Sequence, residues 1–417
     1  MSGSDRHSAP DMAALTGVDA VVARARDALE RGEGKVLAKQ LDPFGLEAQE
    51  AVRREANPAR PHGRDCAEQL RAPYSEMLAH SLSAAFAALG DQPAAAFTAT
   101  SSAVASLFKE FQDGSDDASH CALAAVRALL PALRYAALIA DGPNGTSHQS
   151  SATKEIQKFF SICLSNKSRR PAALRIASTQ LKLYFKLNSL ALCTQYCDNI
   201  DRVYGQSPYS SRASSFPTAD QVSYAYYRGR LSVLSDDYSR ANTELEFAFL
   251  HCHPQHQRNK QRVLRYLVPV KLLRGKIPSV QLLYKYNLAH YEPVVEAVKL
   301  GDINRLSDVL VNHQERFVSD GVYLSLERVR DTVYRTLLKR IFNISATKAT
   351  GESEKFRIAL WRIRVALAWL SEPKDDEEIE CITASLISRR LIKGMINDRH
   401  KMLVLSKQKP FPSLTLE

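Results

Sequence analysis

Apolar residues recur at three- and four-residue spacing through most of the chain, and strand-type alternation is scarce, so the pattern predicts a mainly helical protein. Turn-forming or polar stretches divide it into helix-length segments: Asn57–Arg64, Asp113–His120, Asp141–Ser151, Gly205–Asp220 and Ser345–Glu354. The first ~20 residues and Asn57–Arg64 read as loosely ordered chain. Val222–Pro254 has repeat character: Val222, Tyr226, Gly229 and Val233 share one face, and after the turn Ser235-Asp236-Asp237 a second helix presents Ala241, Leu245, Ala248 and Cys252. Gly229, Ala241 and Ala248 fall at the small-residue positions of a tetratricopeptide-type (TPR-like) hairpin, where two helices approach closely. Comparable pairs run through Leu174–Asn188 with Ala191–Ile200, and Val280–Tyr286 with Val294–Leu300. Stacked hairpins of this kind build a superhelix with one continuous core.

The last third changes character. A helix over Val322–Phe342 carries Val322, Leu326, Val329, Val333, Leu337 and Ile341 on one stripe. A second, over Lys355–Leu370, carries Phe356, Leu360, Ile363, Leu367 and Leu370, and a third, over Asp375–Arg390, carries Ile379, Ile382 and Leu386. The third opens on four acidic residues and closes on Arg389 and Arg390, both suited to the helix dipole. Met395-Ile396 and Met402–Leu405 then flank the polar turn Asn397–His400, a small β-hairpin. Three helices followed by a two-stranded wing predict a C-terminal winged helix, with β structure expected only around Met395–Leu405.

Length and charge add to this picture. A chain of 417 residues exceeds one compact core. No uninterrupted apolar run approaches bilayer length, and the N-terminus lacks the pattern of a secretory signal, so cytosol or nucleus is expected. The net charge of +11 is uneven: residues 1–150 hold 14 Lys and Arg against 19 Asp and Glu, so the excess lies beyond them. A basic C-terminal two-thirds suits a polyanionic partner, and it equally serves solubility.

Motifs for catalysis are missing from the sequence: there is no GxGxxG, Walker loop, HExxH or GxSxG. His251, Cys252, His253 and His256 have no second ligand cluster, and they read as a helix end entering a loop, not a zinc site. Cys193 and Cys197, at i and i+4, read as packing. Neither metal nor cofactor is expected.

Two basic features are more informative. At the winged-helix tip stand Arg389, Arg390, Lys393, Arg399 and Lys401, with His400, Lys407 and Lys409 nearby. Charges at the end of a recognition helix and on its wing can reach phosphates from two directions, and the same charges can be a solvated face. No base-reading set is visible, so contacts independent of sequence are expected. The second feature is Arg258, Lys260, Arg262, Arg265, Lys271, Arg274 and Lys276, interleaved with Val263, Leu264, Tyr266, Leu267, Val268 and Leu272. This pattern suits an extended acidic peptide with aromatic anchors, and it also fits an ordinary amphipathic repeat helix.

Long stretches make a family recognisable: LKLYFKLNSLALC at Leu181–Cys193, YYRGR at Tyr226–Arg230, FAFLHCH at Phe247–His253, YLVPVKLLRGKIP at Tyr266–Pro278 and LVLSKQKPFP at Leu403–Pro412. The chain resembles the PCI-domain family, and within it the branch that serves nuclear mRNA export. The likeness runs from about residue 73 to the end. It implies a poorly ordered or weakly family-like segment at 1–70, a helical-repeat array over 71–318, a winged helix over 319–412 and a short tail at 413–417. It further implies a non-enzymatic scaffold in a hetero-oligomer. Its partners would be a large export scaffold of the Sac/GANP type with its own winged helix, a small acidic protein of the Sem/DSS type, and RNA and double-stranded DNA. The location would be the nucleus, including the nuclear pore, with no membrane attachment. Relatives in the signalosome and proteasome lid imply the other outcome, a structural subunit that binds no nucleic acid.

Overall fold

The computed structural model describes residues 17–55, 63–113, 119–205, 216–348, 351 and 354–414. Residues 1–16 and 56–62, which hold most of the chain expected to be loosely ordered, lie outside the described residues. The chain divides into two compact units, residues 1–227 and 228–417.

The first unit begins with α1 (Val18–Glu30), α2 (Gly34–Leu41), α3 (Leu46–Arg53) and α4 (Gly63–Gln69). These four helices lie within 1–70, the segment expected to be poorly ordered or weakly family-like. Val18, Val21, Val22, Ala25 and Leu37 bury themselves at helical spacing. The unit continues with α5 (Tyr74–Leu89), α6 (Pro93–Asp113), α7 (Ser119–Asp141), α8 (Ser147–Ser165), α9 (Ala173–Lys186) and α10 (Leu190–Tyr204). Its alanine-rich helices pack closely, with Ala84, Ala85, Ala103, Ala125 and Ala137 fully buried. By length and composition the stretch His120–Asp141 could cross a bilayer, but 61% of its most apolar window is buried in the fold. Arg127, within that stretch, lies 3.6 Å from Asp220, whose other oxygen is 2.9 Å from Arg175. These pairs identify α7 as a core helix.

The helix α11 (Thr218–Leu234) crosses from one unit to the next. The second unit then holds α12 (Tyr238–His251), α13 (Gln257–Leu273), α14 (Val280–Lys285), α15 (Glu292–Leu300), α16 (Ile303–Asn312), α17 (Gln314–Asp320) and α18 (Tyr323–Lys348). The helices of the three hairpins expected from spacing are present, α9 packing on α10 and α11 on α12, while α14 and α15 each meet the short turn Ala289–Tyr291 between them instead of packing along each other. Gly229 is required by the second of them: a Cβ there would sit 2.7 Å from Leu245 Cγ. Beside it Arg228 meets Glu244 at 3.3 Å, both nearly fully buried. The face expected for α11 holds at Gly229 and Val233 but not at Val222 and Tyr226, which are only half-buried.

The winged helix follows the expected order with one addition. Helix α18 buries Leu326, Val329, Val333, Leu337 and Ile341 and packs on α13, α15 and α16. It runs to Lys348, past the Ser345 where a loop was expected. After it come β1 (Arg357–Ala359), α19 (Leu360–Trp369), α20 (Asp376–Ser388), β2 (Gly394–Asn397) and β3 (Met402–Leu405). Strand β1 corrects both the helix expected from Lys355 and the expectation of β structure only at 395–405. It pairs antiparallel with β3, Ile358 opposite Leu403, in a sheet of order β1-β3-β2. Ile358, Leu403 and Leu405 are buried, so the short strand closes the core beneath the wing. Gly394 lies so close to the Val404 carbonyl, 2.6 Å from an added Cβ, that a side chain would push the hairpin apart.

Candidate nucleic-acid interface

Helix α20 is fixed at its start by a capping box: the Asp375 carboxylate accepts from the Glu378 amide at 2.7 Å, and Glu378 accepts from the Asp375 amide. Its inward face is Ile379, Thr383 and Leu386. The helix ends at Arg389, and Arg390 takes a left-handed conformation, φ 58°, that turns the chain towards β2. A buried-backbone clamp holds this turn. Arg335, from α18, donates to the Leu391 carbonyl at 3.0 Å and to the Pro412 carbonyl at 2.5 Å, and its guanidinium lies over Phe411. Burial lowers the Arg335 pKa from its ordinary value. The Lys393 amide donates to the Pro410 carbonyl and the Ser406 amide donates to the Lys393 carbonyl, both at 2.8 Å. The tail motif Leu403–Pro412 therefore straps the base of the wing. Sequence reading missed Arg335, because its partners lie 56 and 77 residues away.

The five expected phosphate contacts fall into two groups. Arg389 is ion-paired with Asp331 of α18. Lys401 donates to Glu380 at 2.9 Å and to Asp398, and hydrogen bonds to Asp398 and then Glu380 hold its ammonium well above the ordinary lysine value. Arg390, Lys393 and Arg399 are exposed, and among the described residues no carboxylate lies within ion-pair distance of them. His400 beside Arg399 in the turn, and Lys407 and Lys409 at the opposite end of the hairpin, are exposed as well. Helix α20 itself is acidic: Asp376, Glu377, Glu378 and Glu380 lie on it, and no Lys or Arg occurs from 376 to 388. A duplex groove would be repelled by the helix and drawn only to its C-terminal end and the wing.

In the second basic set the interleaved apolar residues are core, and the cations are half-buried or exposed at its margin. Helix α13 buries Val263, Leu264, Tyr266 through Val270 and Leu272. Arg265 meets Asp320 at 2.7 Å and Lys271 meets Glu246 at 2.8 Å, and the Lys271 ammonium holds the Glu246 carboxyl below its ordinary value. Lys260 donates to the Phe249 carbonyl at 3.0 Å with its ammonium 4.7 Å from that ring. Arg274 is half-buried, while Arg258, Arg262 and Lys276 are exposed. Between α12 and the end of α13 lies an open apolar groove of about 320 Å³, lined by Phe249, Leu250, Leu267 and Ile277 with Lys271 and Lys276 at its rim. The greasy positions foreseen as a surface stripe are largely core, and the accessible apolar surface is this groove.

Among the described residues, no three His, Cys, Asp or Glu are placed to hold a metal ion. Cys193 and Cys197 are both buried.

Comparison with known proteins extends these findings. The family described as PSMD3-like, N-terminal TPR repeats matches residues 151–291. Enhanced ethylene response protein 5 of Arabidopsis thaliana is 37% identical over 275 residues, 65% of this chain and 64% of that protein, so the match spans under two thirds of that relative. PCI domain-containing protein 2 of Danio rerio is 33% identical over 84% of this chain and 87% of its own length. A Protein CSN12 homolog of Neurospora crassa is 31% identical over 62% of this chain and 60% of its own.

Proposed function

The chain belongs to the family of PCI domain-containing protein 2, and from that premise we propose that it is a non-enzymatic scaffold subunit of a nuclear mRNA-export complex, binding RNA and DNA through its winged helix. One observation carries the nucleic-acid part. Arg390 and Lys393 at the base of the wing and Arg399 at its tip are exposed, and among the described residues no carboxylate is within ion-pair distance of them. Cations left unpaired in this way gain most from phosphates, because counterions, not protein carboxylates, are displaced. The helical repeats supply the protein contacts. A large scaffold of the Sac/GANP type would add its own winged helix beside this one. A small acidic protein of the Sem/DSS type would use Arg258, Arg262 and the groove rim at Lys271 and Lys276. The assembly would work in the nucleus, including at the pore.

Reversing Arg389, Arg390, Lys393, Arg399 and Lys401 to Glu tests the reading. The domain should stay folded, since its core is Leu326, Val333, Leu360, Ile363 and Leu386. RNA and DNA binding should weaken together, without dependence on sequence. Equal affinity in wild type and variant across a salt series would count against it.

A second reading, a structural subunit of a signalosome- or proteasome-lid-like assembly, draws support from the acidic α20 and from the similarity to the CSN12 homolog. It predicts stable co-purification with other PCI chains and no salt-sensitive oligonucleotide binding.

A further inference from the structure

Helix α19 turns Leu360, Ile363 and Leu367 inward and leaves its other face to solvent. That face carries Trp361, Val365 and Trp369, which are 54%, 57% and 84% exposed. Spacing of i, i+4 and i+8 sets them on one stripe, about 12 Å from end to end at the helical rise. These are the only two tryptophans in the chain. A single exposed apolar residue is ordinary, but a stripe bearing both tryptophans marks a binding face.

The surroundings of the stripe indicate what it binds. The Arg362 guanidinium lies 5.6 Å from the Trp361 ring centroid. Lys355, Arg357 and Arg362 are exposed, and among the described residues no carboxylate is within ion-pair distance of them. Arg364, on the same helix, is already paired with Asp376 at 3.2 Å. Flat aromatic faces beside unpaired cations are what unpaired bases and their phosphates require. The acidic α20 argues against a duplex in the same place, since four carboxylates would meet the backbone.

We propose that the outer face of α19 is a stacking platform for single-stranded RNA, with bases on Trp361 and Trp369 and phosphates on Arg357 and Arg362. The inference rests on the nucleic-acid reading above and adds a site to it, distinct from the wing. Because both tryptophans lie on the platform, their intrinsic emission reports its occupancy directly. The full-length protein is titrated with an oligouridylate of about 15 nucleotides and with an RNA duplex of equal length. The single strand should quench tryptophan emission and the duplex should not. Trp369→Ala removes a side chain that is almost wholly in solvent, so circular dichroism should be unchanged. Its affinity for a labelled oligouridylate, read by anisotropy, should fall about ten-fold or more, with partial recovery in Trp369→Phe.

Unchanged emission on binding, or wild-type affinity in Trp369→Ala, overturns the platform and leaves the stripe as a protein-docking face. An Arg390→Glu/Lys393→Glu/Arg399→Glu variant run in parallel separates the two levels. Loss there with retention in Trp369→Ala defeats only the stacking site. Failure of the wild-type protein to bind either oligonucleotide defeats the nucleic-acid reading as well.

Discussion

Helix α13 and the winged-helix tip look alike as charge patterns, each a run of cations among apolar residues, yet the fold treats them differently. On α13, Arg265 and Lys271 are matched to Asp320 and Glu246, and Lys260 caps a carbonyl. At the tip, Arg389 and Lys401 are matched in the same way, but Arg390, Lys393 and Arg399 are left to solvent. A count of cations therefore does not locate a polyanion site. What locates it is whether carboxylates from distant parts of the chain arrive within reach, and that is settled only by the fold.

If paired cations of the repeats are structural, removing the most buried one should have the largest effect. Arg228→Met would take the guanidinium away from the buried Glu244 carboxylate, and should cost about 3–5 kcal/mol. Urea unfolding measures it; a loss below about 1 kcal/mol would show that the pair is not needed. Arg265→Glu comes next. It sets a second carboxylate beside that of Asp320 and should cost about 1–3 kcal/mol, whereas the exposed Arg258→Glu and Arg262→Glu should stay within about 0.5 kcal/mol of wild type. Only the latter two should lower capture of an acidic Sem/DSS-type protein without loss of stability. Similar destabilisation by all three would erase the distinction between inner and outer cations on α13.

Acid should probe the same neighbourhood. His290 is partly buried, and burial, with Arg316, His313 and Arg265 close by, lowers its pKa from 6.5 to about 4. The folded protein keeps the ring neutral while the unfolded chain takes up a proton near 6.5. Stability from this group is thus complete above about pH 6.5 and is lost as pH falls towards 4. A His290→Gln variant should show a shallower fall in melting temperature over that range; an unchanged slope would exclude the residue. The effect at the tip is also small. Arg389→Gln breaks an exposed pair with Asp331 and should change stability by under about 1 kcal/mol.

Much of this architecture is written locally in the chain. The stripe from Leu326 to Ile341, the Asp375–Glu378 capping box and the hairpin around Asn397–His400 each depend on neighbours within a few residues, and each can be read from the sequence. The small-residue position Gly229 is equally legible, since close helix approach tolerates little else. Strand β1 is not, because Phe356 falls on one helical stripe with Leu360 and Ile363, which carries a helix through 357–359, and only pairing with β3 more than forty positions away makes these three residues extended. The ion pairs that silence Arg265, Lys271 and Arg389 span 55, 25 and 58 residues, beyond any periodicity argument. Trp361 and Trp369 were half-legible: they fall off the apolar stripe assigned to their helix, which places them outward without saying why.

The central claim is that unpaired cations, not cations as such, form the phosphate surface of the wing. Two full-length variants decide it: Arg390→Gln/Lys393→Gln/Arg399→Gln, and Arg389→Gln/Lys401→Gln. Binding of one fixed oligonucleotide is measured across a salt series for each and for wild type. The triple variant should lose affinity and flatten the dependence of log K on log salt by about 2–3, roughly one per lost contact, while the double variant should stay close to wild type in slope. Equal slopes in all three proteins, or a larger loss in the double variant, would contradict the account.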